Sequence, residues 1–360
     1  MRRNPIMEIP LPATDTLDVL NQHHRQRMRR RGLLAILAVA CLAALALDAA
    51  TGPSGMSPWR IVTGLFRPDL LTPGEAAIVW QIRLPYALTA VLVGAALALS
   101  GAEMQTVLNN PLASPFTLGV SAAAAFGASL AIVLGLGLPF LPQDAVVALN
   151  AFVFAFGSVL LLQAMARARR GGVQSIVLFG IALVFAFNAL TALVQFIASQ
   201  EALQQLVFWT MGSLSRSSWR SVAAMAVVLA AAGPFSWAAA RALTALRLGE
   251  DRAASAGVDV GRLQFLSLLR ASLLSAAAVA FVGVVGFIGL VGPHIARLLV
   301  GEDHRLYLPA SVLSGALLMS LASALSKSLV PGALLPVGVV TAVIGVPAFL
   351  ILIFRSGARG

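Results

Sequence analysis

The chain has 360 residues, 59% of them hydrophobic and only 11% charged, with a mean hydropathy of +0.90. A soluble domain carries about a quarter charged residues, so this composition excludes an ordinary water-soluble protein and indicates an all-α polytopic membrane protein. The formal charge of +11 comes from 25 basic residues, all Arg except Lys327, clustered between apolar runs with no aromatic-interleaved groove, which is a topology signal and not a nucleic-acid surface.

Residues 1–32 form a polar arm that ends in Arg25, Arg27, Arg29, Arg30 and Arg31. The apolar run from Leu33 to Ala50 follows at once, close to the ~20 residues a spanning helix needs. It is long for a signal peptide and no Ala-x-Ala site follows, so it reads as a retained first span. Cys41 lies within it, has no disulfide partner, and reads as a small apolar residue. Residues 51–82 are an exposed loop with an amphipathic interfacial helix around Pro58–Phe66.

Nine further spans are expected near 84–105, 116–138, 144–166, 173–198, 221–243, 263–282, 286–300, 307–328 and 337–354, making about ten transmembrane helices. The 263–300 stretch is too long for one span, and Gly283, Gly286, Gly289 and Gly292 followed by Pro293 predict a break near Gly283. In the third span Gly119, Ala123, Gly127, Ala131 and Gly135 stand four apart, a small-residue face for close helix packing, first of all within one subunit. Ten spans put both termini on one side. The Arg-rich segments 25–31, 167–170, 241–262, 305 and 355–359 mark that side as cytoplasmic, against Arg60, Arg67, Arg83, Arg216, Arg220 and Lys327 opposite.

Between two apolar runs lies the polar island Leu248–Leu263. Glu250 and Asp251 suit the first turn of a short helix, and Arg252, Ala253, Ala254, Ser255 and Ala256 continue it. Gly249 precedes it, Gly257 is a left-handed stop, and Asp259 caps a second helix. Taken alone, the island reads equally as a compact cytoplasmic knob or as an ordinary inter-span loop.

Few residues suggest chemistry. The residues before Lys327, Ala322-Ser-Ala-Leu-Ser326, are not the Gly-rich loop that cradles nucleotide phosphates. His23, His24, His294 and His304 have no metal-ligand spacing, and no nucleophile–base arrangement stands out. The ionisable groups Glu103, Arg270, His294 and Arg297 fall near span ends, where side chains reach the interface. The chain therefore reads as a non-enzyme that holds no cofactor or metal.

Three sets of motifs then occur in order: Arg83-Leu-Pro85 with Val93-Gly-Ala-Ala-Leu-Ala-Leu-Ser-Gly-Ala102; Gln105-Thr-Val-Leu-Asn-Asn-Pro-Leu-Ala-Ser-Pro115 with Leu118-Gly-Val-Ser121; and Gly286-Phe-Ile-Gly-Leu-Val-Gly-Pro-His-Ile-Ala-Arg297 with Asp303-His304-Arg305 and Leu335-Pro-Val-Gly-Val-Val-Thr-Ala-Val-Ile-Gly345. Together, over roughly residues 60–355, they resemble the FecCD-type permeases, the membrane subunits of ATP-binding-cassette (ABC) importers for ferric siderophores, haem and vitamin B12.

The resemblance implies the vitamin B12 permease-like fold, with residues 33–355 as one transmembrane domain and 356–360 as a cytoplasmic tail. It implies a homodimer or a pair of similar permeases in the cytoplasmic (inner) membrane, with ATP and Mg held on separate ATPase subunits. Leu248–Leu263 would match the coupling helices, which sit in a cleft of the ATPase, with Gly249 to Gly257 as the coupling residues. An external substrate-binding protein would dock opposite, where Arg60, Arg67 and Lys327 are the available basic residues; Arg60 and Arg67 are equally suited to anchor at the interface. The chain departs from the family pattern at Ala322-Ser323, where Ala-Asp is frequent, and at Leu334, where Glu is frequent. Ferric siderophore is the expected substrate. An ion-coupled secondary carrier is the alternative, and a membrane scaffold without a transport path a third.

Overall fold

A computed structural model describes residues 13–168, 173–330 and 332–357. Among these no strand occurs. The first helix, α1 (Ala13–Ala50), runs straight from the basic arm into the first span. The interfacial helix α2 (Pro58–Phe66) lies where the sequence places it, with the Ser57 hydroxyl accepting from the Arg60 N–H. A 3₁₀ turn at Pro68–Leu70, helix α3 (Pro73–Ala77) and a π-helical stretch at Ile78–Arg83 then lead into α4 (Leu84–Val107). The next helices are α5 (Val120–Leu134), α6 (Gln143–Ala168), α7 (Val173–Phe196), α8 (Gln200–Thr210) and α9 (Trp219–Ala238). Two short helices, α10 (Ala240–Leu246) and α11 (Glu250–Ser255), precede α12 (Val260–Val282), α13 (Ile288–Val300), α14 (His304–Ser328) and α15 (Val337–Gly357).

Among the described residues seven segments are long and apolar enough to cross a bilayer, and three shorter apolar helices, Val120–Leu134, Ile288–Val300 and Val337–Pro347, bring the expected ten into view. The break in the 263–300 stretch falls at Gly283, which ends α12 with φ +74°. The third span is shorter than expected. Gly119 and Gly135 both adopt left-handed conformations and bound α5, so they are its caps and not part of its small-residue face. Residues 108–119 are turns instead of helix.

Helix α4 stands at the centre, packed against α14, α13, α12, α9 and α1. Its contacts with α13 and α14 are backbone to backbone. A Cβ on Gly94 would overlap the Gly315 carbonyl of α14, and one on Gly101 would overlap the Gly289 carbonyl of α13. Lipid tails offer helices no hydrophobic drive to associate, so close backbone approach at small residues supplies much of the contact energy. A second group packs α5 against α6 and α7, with Val120, Ala124, Ala128, Val147, Ala151 and Ala155 buried between them. The outer faces of α7 and α9 carry exposed Phe185, Leu193, Phe196, Val227 and Phe235. In water such faces would be a liability; against acyl chains they are the solvated surface.

The surviving middle of the α5 face does pack within the subunit. Ala123 and Ala131 are buried, and a Cβ on Gly127 would strike the Asn150 carbonyl of α6. Gly127→Leu should therefore separate α5 from α6 and lower the yield and melting temperature of purified protein, by about 1–3 kcal/mol or more. Wild-type melting in that variant would mean that the two helices are not in backbone contact.

Candidate functional site

The polar island folds as a helix–stop–helix knob. In α11, Glu250 and Asp251 occupy the first turn, next to the uncapped N–H groups. Its end is closed by two hydrogen bonds, Val258 N–H to the Ala253 carbonyl (3.0 Å) and Gly257 N–H to the Ala254 carbonyl (2.9 Å). That pairing is a Schellman stop, and it requires the left-handed Gly257, whose φ is +84°. Asp259 Oδ1 then accepts from the Arg262 N–H at 2.9 Å and starts α12. Glu250, Asp251, Arg252, Ala254, Ser255, Ala256 and Gly257 are exposed. Ala253 is not: it is fully buried in the main core beside Leu243, Leu246 and Leu263. The expected small-residue surface thus loses Ala253, which anchors the knob from below and is not part of its outer face.

The knob is wired into three spanning helices. Arg247 donates through Nη1 to Asn109 Oδ1 (3.0 Å), in the turn after α4, and through Nε to Glu302 Oε2 (3.3 Å), between α13 and α14. Arg297 of α13 reaches the same Glu302 at 3.4 Å and Tyr307 OH at 3.3 Å. Burial on its own would raise the Glu302 pKa, but Arg247 and Arg297 outweigh it and the net shift is downward. Gln264 Nε2 donates to Glu250 Oε1 (3.0 Å) and to the Val107 carbonyl at the end of α4 (3.4 Å). Between the knob and the α4 end lies a cleft of about 520 Å³, lined by Thr106 to Asn109 and Leu246 to Glu250.

Beneath it, the fully buried His304 ties the parts together. The Thr106 hydroxyl donates to the Ala102 carbonyl (2.8 Å), so at 2.8 Å it accepts from His304 Nε2. On the other side of the ring Thr244 of α10 accepts the His304 backbone N–H (3.0 Å) and lies 3.2 Å from Nδ1. The imidazole is a spacer between α4, α10 and α14. Nothing in the sequence signalled this beyond its place one residue after the Asp303 cap.

The ionisable residues expected at span ends are placed differently. Glu103 is wholly buried and takes a bidentate bond from Arg270 of α12, Nη2–Oε2 at 2.6 Å and Nε–Oε1 at 3.2 Å, with Ser236 of α9 also donating to it. It does not reach the interface. At the opposite end of the bundle, Lys327 is also buried, its side chain only 5% exposed, and pairs with Asp48 Oδ1 of α1 at 2.6 Å. Lys327 is therefore withdrawn as a residue for docking an external protein. Its ammonium is consumed by Asp48 and lies 4.7 Å from the Tyr86 ring centre. Arg60 is exposed, and its guanidinium is taken up by Glu75, whose pKa is held at about 2 mainly by that bond. Arg67, at the end of α2, is exposed.

The sequence pattern of the FecCD transport family matches residues 36–355. The chain belongs to the FecCD transport family. Among its relatives, the vitamin B12 import system permease protein BtuC of Vibrio vulnificus is 35% identical over 92% of this chain and 96% of its own length. The hemin transport system permease protein HmuU of Yersinia pestis is 38% identical, over 77% and 84%. The molybdate import system permease protein MolB of Haemophilus influenzae is 33% identical, over 91% and 95%. A solved structure assigned to the metal-chelate type of ABC transporter, in an inward-facing conformation, matches with a TM-score of 0.79 and 30% identity, over 90% of this chain and 99% of that one. This chain is accordingly an ABC importer permease of the FecCD type, a multi-pass membrane protein.

One departure of this FecCD permease from the family pattern now has a physical counterpart. At Ser323 the hydroxyl donates to Asp48 Oδ1 at 2.6 Å. An acidic group does occupy that place, but it comes from α1.

The wiring predicts an order of effects. His304→Ala removes the ring's hydrogen bond to the Thr106 hydroxyl and leaves a cavity where the fully buried imidazole stood, at about 1–3 kcal/mol or more. Arg247→Ala removes a half-exposed ion pair, at roughly 0–1 kcal/mol. Thermal unfolding of the purified variants should show the larger drop for His304→Ala, and the reverse order would mean that the knob hangs on its surface charges.

Proposed function

We propose that this permease carries a ferric siderophore, or a related iron complex or corrinoid, across the cytoplasmic membrane, driven by ATP and Mg on separate ATPase subunits. The observation that carries the reading is the knob. Its exposed face of Ala254, Ser255, Ala256 and Gly257, edged by Glu250, Asp251 and Arg252, offers a partner a small, close-fitting surface. Its buried side, through Ala253, Arg247, Gln264 and the layer of His304, grips α4, α12, α13 and α14. A push on such a rigid lever moves spanning helices rather than deforming a loop. Gly249 to Gly257 is on this reading the surface that docks in the ATPase cleft.

Two relatives are named for bulky metal complexes and one for molybdate, so the cargo of this chain is read from the larger class. An external binding protein would meet the face opposite the knob, with Arg67 just after α2 as an exposed basic group and Arg60 on α2 beside it, paired with Glu75. The apolar faces of α7 and α15, including Phe185 and Val343, are available to a second copy or a similar permease around a central path. Family membership leaves no support for the secondary-carrier and scaffold readings, and both intramembrane acids are already paired, Glu103 to Arg270 and Asp48 to Lys327.

Two measurements test this reading. For orientation, Ser57→Cys should react with an impermeant thiol reagent from outside intact cells while Arg305→Cys should not; the opposite result would put the knob on the wrong face. For coupling, Ala254 is exposed, so Ala254→Trp should leave the fold intact yet overpack the partner contact by about 1–3 kcal/mol. Reconstituted with its ATPase, that variant should lose uptake or release the ATPase, whereas Arg252→Ala should be mild. Gly257→Val meets no neighbour within 4 Å, so it acts through the left-handed backbone alone and should re-aim α11. Normal coupled uptake in both Ala254→Trp and Gly257→Val would remove the coupling assignment.

A further inference from the structure

A second cavity, of about 350 Å³, opens at the knob's side of the bundle between α6, α7 and α12. It is lined by Gln163, Arg167, Ile176, Gln264, Phe265 and Leu268. Its size falls within the ~300–1,000 Å³ usual for ligand sites. Gln163 is only 5% exposed, yet neither its amide nitrogen nor its amide oxygen has a hydrogen-bond partner. A buried amide unpaired at both ends is costly, roughly 1–3 kcal/mol for each lost partner, and calls for an occupant that both accepts and donates. Beside it, the Arg167 guanidinium carbon lies over the Phe265 ring, 3.8 Å from its centre. Stacking fixes that group while leaving its N–H edge open to an anion.

The position of the cavity identifies the occupant. Gln163 and Arg167 fall in the last turn and a half of α6, and Gln264 and Phe265 in the first turn and a half of α12. One apolar span ends at Arg167 and another begins at Val260, so the cavity stands at the level of span ends, where headgroups meet the apolar layer. Basic pockets between spanning helices at that depth suit anionic headgroups. We propose that this cavity binds the headgroup of an anionic phospholipid of the phosphatidylglycerol kind. Its phosphate accepts from Arg167 and from Gln163 Nε2, and its glycerol hydroxyl donates to Gln163 Oε1. Leu268 and Ile176 line the apolar part of the site. Gln264, on the cavity wall, is also the residue that holds Glu250 and the end of α4, so the headgroup would sit at the root of the knob.

The test reads lipid and not transport, so its outcome is independent of the coupling proposal. The full-length protein, purified in detergent and offered equal phosphatidylglycerol and phosphatidylcholine, is examined by native mass spectrometry and by thermal unfolding. Wild type should retain phosphatidylglycerol preferentially and melt higher with it. Arg167→Ala and Gln163→Leu should each reduce that retention about tenfold, the loss expected of one charge-assisted hydrogen bond. Gln163→Leu swaps an unsatisfied amide for an apolar group of similar size, so it should fold and melt normally without lipid. Equal retention of the two lipids by wild type, or unchanged retention in both variants, would overturn the site. Soluble glycerol phosphate is the control for the source of the phosphate: weak competition is expected of a lipid site, and displacement at equal concentration would show a soluble-anion site instead.

Discussion

The rest of the bundle depends on how closely α4 approaches α13 and α14. Gly94 and Gly101 on one side and Gly315 and Gly289 on the other bring main chain against main chain, with no room for a methyl group. Because this contact leaves no slack, any displacement of α13 or α14 must carry α4 with it or break the seam. The helices around the seam can be looser. Helices α7 and α9 show most of their surface to lipid or to another chain, and they add area rather than rigidity.

The charges buried in this bundle act as clasps. Asp48 and Lys327 join the ends of α1 and α14 across 279 residues of sequence, and Glu103 and Arg270 join α4 to α12 across 167. Removing one partner of such a pair leaves an uncompensated charge in the interior, whereas the intact pair contributes little net stability. Their value lies in specifying which helices meet. Arg83 has a related role at the end of the bundle opposite the knob, where its guanidinium donates to the Ala50 carbonyl at 2.7 Å and to Ser54 Oγ at 2.6 Å, closing the end of α1.

How much of this was legible in the sequence follows from the range of each interaction. The knob could be read because its determinants are local: acids in a first turn, a glycine stop, and an aspartate cap within ten residues. The break at Gly283 and the interfacial helix Pro58–Phe66 were legible for the same reason. The α5 face was half legible, since the four-residue spacing is a helical signal but does not reveal that its end glycines sit in left-handed caps. Lys327 was misplaced because a lone lysine at a span end looks like a surface charge until Asp48 is brought alongside it. The same holds for Glu103, whose partners Arg270 and Ser236 come from α12 and α9. No pattern within one helix encodes such a meeting.

Seam, clasps and knob form one mechanical chain. On the proposed coupling role, a force on α11 would pass through Ala253 and Arg247 to Asn109 and Glu302, which flank the knob-side ends of α4 and of the α13–α14 turn. His304 keeps those ends at a constant spacing, because a fully buried ring wedged between Thr106 and Thr244 in a packed interior has one position and not a range. Above that layer, the glycine seam turns the movement of one helix into the movement of three. The break at Gly283 to Phe287, which separates α12 from α13, is itself pinned: Gly283 stands against the Trp209 carbonyl, and Gly212 and Gly338 stand against the Val284 carbonyl, so the end of α8 and the start of α15 join the same close-packed unit.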